Sequence, residues 1–163
     1  MSVNKYRKHV LVLPEDRADH QIAHGFQLHA SVNARAIQVL PILGGWTRVR
    51  DNFEQVHIRG MRNHSQRHIV MLVDFDQKQT RFDQMKALVP QDLEQRVFVV
   101  GVWSEPESLR SDSGMNFERI GRELASECHD GTRVLWNHPL LQHNEAELER
   151  MIRVLRPFLF LEP

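Results

Sequence analysis

A single cysteine, Cys128, leaves this chain of 163 residues without a partner for an internal disulfide, which fits a reducing compartment. Long apolar runs are also missing. The best of them, residues 97–103 (VFVVGVW), is far shorter than the roughly 20 residues a membrane-crossing helix needs. The opening MSVNKYRK has no apolar signal core, so the expected location is the cytoplasm. Charge of one sign is not in excess either. Lys and Arg number 21, as do Asp and Glu, so no bulk attraction to nucleic acid defines the chain. No repeat, low-complexity tract, phosphate loop, dinucleotide Gly pattern or Gly-x-Ser-x-Gly elbow is present.

What is present is an alternation of short apolar runs and amphipathic stretches. Residues 9–14 (HVLVLP), 36–42 (AIQVLPI), 68–73 (HIVMLV) and 97–103 read as buried strands, with a short fifth at 133–136 (RVLW). Between them, helical spacing runs from about Asp19 to Ala30 through Ile22, Ala23 and Phe26. It recurs through Phe53, Val56 and Met61, through Phe82 and Met85, through Phe117, Ile120, Leu124 and Cys128, and through Leu148, Met151, Ile152 and Leu155. Asp51 with Glu54, Thr80, and Asn144 with Glu147 supply helix-start signals. This β-α order predicts one α/β domain over 1–163: a mainly parallel sheet of four to five strands with helices on both faces.

Acids cluster where three of the strands end. Glu15 and Asp16 follow the first, Asp74 and Asp76 the third, and Glu105 the fourth after Ser104. In an open parallel sheet ligands bind outside these carboxyl ends, and neighbouring strands lie about 4.8 Å apart. Strand period would send Asp74 and Asp76 to one side and Phe75 into the fold. Carboxylates this close repel, and a divalent cation such as Mg²⁺ relieves them while offering open positions to phosphate oxygens. Taken singly, each acid also has an ordinary use as a cap or turn residue.

The segments Val10-Leu-Val-Leu-Pro-Glu15 and Ile69-Val-Met-Leu-Val-Asp74-Phe-Asp76, with Gly44-Gly45 after the second strand, resemble the Toprim pattern. That family comprises domains of topoisomerases, primases and overcoming-lysogenization-defect nucleases. The resemblance spans residues 9–105, with 106–163 as a C-terminal helical part. It implies Glu15 as general acid or base, and Asp74 and Asp76 as ligands of Mg²⁺ or Mn²⁺, with Glu105 joining that shell. The implied activity is phosphodiester hydrolysis or transfer on nucleic acid, as in a nuclease. Asp16, Gly44, Gly45, Lys78 and Ser104 flank the strand ends as positions for substrate. Asp16 stands where the family has glycine, so a module that binds nucleic acid or a partner protein without catalysis is the alternative. A receiver domain is disfavoured by the lack of its Lys-Pro, because His138-Pro139 occupies that place. A haloacid-dehalogenase-like site is disfavoured by Lys78 and by the mid-chain position of Asp-x-Asp.

The remaining candidates have ordinary explanations. His20 and His24 share a helix face as zinc ligands do, but that face lies opposite Ile22 and Phe26 and is expected to meet solvent. His138 and His143 read as loop residues and Cys128 as a small core residue. Trp46, Trp103 and Trp136 suit packing or base stacking. Sequence leaves the oligomeric state open.

Overall fold

The computed structural model describes residues 2–161. Four parallel strands form one sheet in the order β2-β1-β3-β4: β1 (His9–Pro14), β2 (Ile37–Val39), β3 (Arg67–Leu72) and β4 (Val97–Val100). Val10 lies opposite both Ile37 and His68, and Ile69 lies opposite Val97. Side chains alternate between the two faces, as the pleat requires. Val10, Val12, Val70, Phe98 and Val100 pack against α1 (Arg17–Gln27), α6 (Phe117–Asp130) and α7 (Glu145–Val154). Leu11, Leu13, Ile69, Met71, Val97 and Val99 pack on the other side. There they meet α2 (Trp46–Asn52), α3 (Ile58–Asn63) and α4 (Gln79–Ala87), through Val49, Met61 and Met85. The expected three-layer α/β domain is therefore the observed architecture. Burial of each large apolar side chain in these layers contributes about 1.5–3 kcal/mol.

Helices α1 and α6 cross closely because each has glycine at the contact. A Cβ on Gly121 would lie 1.9 Å from the Ile22 carbonyl oxygen, and one on Gly25 would lie 2.0 Å from that of Glu118. The short α5 (Pro106–Ser113) and α8 (Arg156–Leu159) complete this side. No helix among the described residues is long and apolar enough to cross a membrane.

The expected fifth strand at 133–136 does not form. The backbone N–H groups of Leu135 and Trp136 donate instead to the buried carboxylate of Glu127, at 2.8–3.1 Å. The open edge of β4 is satisfied by side chains of α7 and the turn before it. Arg150 donates to the Val97 carbonyl, Glu147 accepts from Val99 N–H at 2.9 Å, and Asn144 bonds both N–H and C=O of Gly101. Asn144 and Glu147 do sit at a helix start, yet their side chains serve the strand edge and make no capping box. This covering keeps a bare edge from pairing with another chain.

Other local expectations shift for identifiable reasons. Helix α1 stops at Gln27, leaving Ala30 exposed beyond it. Helix α2 starts behind Gly45, so Asp51 lies within it and pairs with Arg50 at 3.0 Å. A π-helical turn, Phe53–His57, links α2 to α3. The wider turn puts His57 inside, bonded to Asn52 Oδ1 at 2.8 Å, and leaves Val56 53% exposed where helical period predicted burial. Thr80 lies inside the first turn of α4, with Lys78 at the cap position.

Candidate functional site

The chain passes from β1 to β2 on one side, then crosses back to β3 on the other. The crevice between the carboxyl ends of β1 and β3 is therefore the topological switch point, where open α/β sheets bind ligands. Glu15 follows β1 there. Its backbone N–H donates to Leu72 C=O, and its own carbonyl accepts from Gly44 and Gly45. Gly44 and Gly45 have φ of +93° and +140°, values that glycine adopts readily, and this turn brings α2 to the crevice. The Glu15 carboxylate accepts the Asp74 backbone N–H at 2.6 Å, tying the two strand ends together.

A third acid joins them. Asp19 lies in the first turn of α1 and is fully buried. Glu15, Asp19 and Asp74 each offer an oxygen within 4.8 Å of the others, the one group of three potential metal ligands among the described residues. Asp16 caps α1, accepting from Asp19 N–H at 3.0 Å, and this fixes where Asp19 points. Neither oxygen of Asp19, nor Oδ1 of Asp74, has a hydrogen-bonding partner when both are ionised.

Three negative charges cannot stay in this space unaided. Two carboxylates at 4.8 Å repel by about 3 kcal/mol at an effective dielectric near 20. Burial, then repulsion from Glu15, pushes Asp74 up to about 8. Burial, then Asp74, holds Asp19 well above the ordinary aspartate range. Glu15 is also raised, chiefly by burial, against the opposing effect of the Asp74 N–H. One proton shared between Asp19 and Asp74 makes their contact a hydrogen bond. A divalent cation in the proton's place would neutralise the same charge, and oxygen-only donors suit Mg²⁺ or Mn²⁺.

Arg81, from the first turn of α4, closes the crevice. Its Nη1 donates to the Asp74 carbonyl at 2.7 Å, and its guanidinium lies 4.9 Å from the centre of the Trp46 ring. Sequence reasoning missed both Asp19 and Arg81. Asp19 precedes Ile22 and Ala23 by three and four residues, which put it on the buried stripe of α1. Arg81 carries no comparable signal.

Other expected site residues fall elsewhere. Asp76 and Gln77 have φ of +50° and +58°, so the chain leaves strand geometry there, and Asp76 is not one of the three grouped carboxylates. Its exposed carboxylate lies 3.7 Å from Lys78 Nζ. Glu105 is exposed at the cap position of α5, also outside the three-carboxylate group. Ser104 C=O accepts from Asp76 N–H, while its buried Oγ has no partner. His20 and His24 are half-buried and belong to no group of three ligands. His143 packs its ring against Phe75 and Trp103, and burial lowers it to about 4. Trp136 is a core residue whose indole N–H donates to Leu124 C=O. Comparison with family models, curated proteins and solved structures finds no match to this chain.

Proposed function

We propose that Asp19 and Asp74, with Glu15 beside them, hold a divalent cation, Mg²⁺ or Mn²⁺, and that this edge acts on phosphodiester bonds of nucleic acid, as the Toprim resemblance implies. The observation that carries the reading is the convergence of three carboxylates within 4.8 Å, one of them fully buried with both oxygens unpartnered. The bound cation would polarise a phosphate oxygen and shield charge building on it. Asp19 and Asp74 are the ligands in this account. Glu15 moves a proton at its carboxylate, since its raised affinity for protons suits transfer nearer neutral pH. Arg81 and Trp46 flank the phosphate path with a cation and an aromatic face. A single, buried cysteine fits a cytoplasmic setting.

The test is cleavage of single-stranded and duplex DNA and of RNA in Mg²⁺ or Mn²⁺. Asp74→Ala and Glu15→Gln should each lower the rate about 100-fold or more. Cleavage unchanged by both substitutions would refute the assignment. The separation of Asp76 and Glu105 from the cluster favours a second reading, a binding module without turnover. Metal-independent binding of an oligonucleotide with no cleavage would select it.

A further inference from the structure

We propose that the amino edge of the sheet carries a recess for a phosphate group, separate from the acidic crevice. The recess has a volume of about 360 Å³ and is lined by Asn4, Arg7, Lys8, Asn33, Arg35 and Ala36. It lies at the start of β1, a strand of six residues, so about 20 Å of sheet separates it from Glu15. The N-terminal segment is tied to the loop before β2 by Asn4 N–H donating to Arg35 C=O at 3.2 Å. Its shape is thus set by backbone bonds, with the long cationic side chains projecting from a fixed frame.

The polar side chains around it are all donors. Asn4 Oδ1 accepts from Tyr6 N–H and Asn33 Oδ1 accepts from Arg35 N–H, both at 3.1 Å. Each carboxamide thereby spends its acceptor on the backbone and retains its NH₂ group. Arg7, Lys8 and Arg35 are exposed and make no ion pair among the described residues, and no carboxylate there lines the recess. Three cations and two amide donors match a multiply charged oxyanion with several acceptors, and Arg forks meet phosphate oxygens in pairs. A monocarboxylate would leave most of that charge uncompensated.

The experiment is an NMR titration of amide shifts with inorganic phosphate at low ionic strength, in metal-free buffer. Saturable shifts confined to residues 4–8 and 33–36 are expected. Arg7→Gln with Arg35→Gln should weaken binding about ten-fold or more, and since both residues are exposed the fold should persist. No saturable shift at these amides, or equal affinity in the double variant, would overturn the proposal. A ten-nucleotide single strand then separates two sources of the same chemistry. Shifts at the same amides that phosphate suppresses identify backbone phosphates. Phosphate binding without them identifies a free phosphate or phosphomonoester.

Discussion

Removing divalent metal should leave a stabilising contribution from protonated carboxylates that is lost as pH rises from about 6.5 to 8. In the folded state Asp74 releases its proton only at about 8, against an ordinary value of 3.8, and Asp19 is raised as well. The native state thus holds at least one proton that the unfolded chain has lost, and its advantage shrinks with pH by about 1.4 kcal/mol per unit per proton. The histidines work in the opposite sense. His57, His68 and His143 are lowered to about 4 by burial, so they favour folding above 6.5 and lose that contribution as pH falls toward 4. At 6.5 they are still half protonated in the unfolded chain, so between 6.5 and 8 the three together add roughly 1 kcal/mol of stability, and the carboxylate contribution is read as the difference between the wild type and a variant that keeps the histidines. One proton over 1.5 pH units amounts to about 2 kcal/mol, or roughly 4–8 °C in Tm for a chain this long. The assay is thermal unfolding in EDTA at half-unit steps of pH. Asp19→Asn combined with Asp74→Asn should remove the carboxylate loss, so that the variant's Tm climbs relative to wild type as pH rises, and 10 mM Mg²⁺ should raise the wild-type Tm more at pH 8 than at 6.5, because cation and proton compete. A double variant whose Tm follows the wild-type profile across this window would refute the reasoning.

Two predictions concern the scaffold. Gly121→Ala puts a methyl group 1.9 Å from a backbone oxygen, so α1 and α6 must separate; a loss of about 3 kcal/mol in urea unfolding is expected. Glu147→Ala strands the Val99 N–H at the sheet edge and leaves Lys86 and Arg150 without their shared carboxylate; about 3 kcal/mol should be lost, with increased aggregation.

The sheet was legible because three strands are continuous apolar runs, and the acidic edge was legible because strands β1 and β3 end in Glu15 and Asp74. Asp76 was not, since strand period says nothing about where the chain turns, and it turns at Asp76-Gln77. Asp19 stands at the start of the expected helix with no motif to single it out, although its spacing to Ile22 places it inward. The fifth strand failed for a different reason. Residues 133–136 have a strand's apolar content, but Glu127 takes two of their N–H groups, and β4 is covered by Asn144, Glu147 and Arg150. Their spacing of three reads equally as an exposed helix face, so only tertiary packing reveals the role.

The most direct test of the metal site is a crystal structure determined with Mn²⁺ and anomalous scattering. The account predicts one strong peak in the crevice between β1 and β3, with oxygens of at least two of Glu15, Asp19 and Asp74 at about 2.2 Å. A crevice without a peak at saturating Mn²⁺, or a peak held by Asp76 and Glu105 instead, would contradict it.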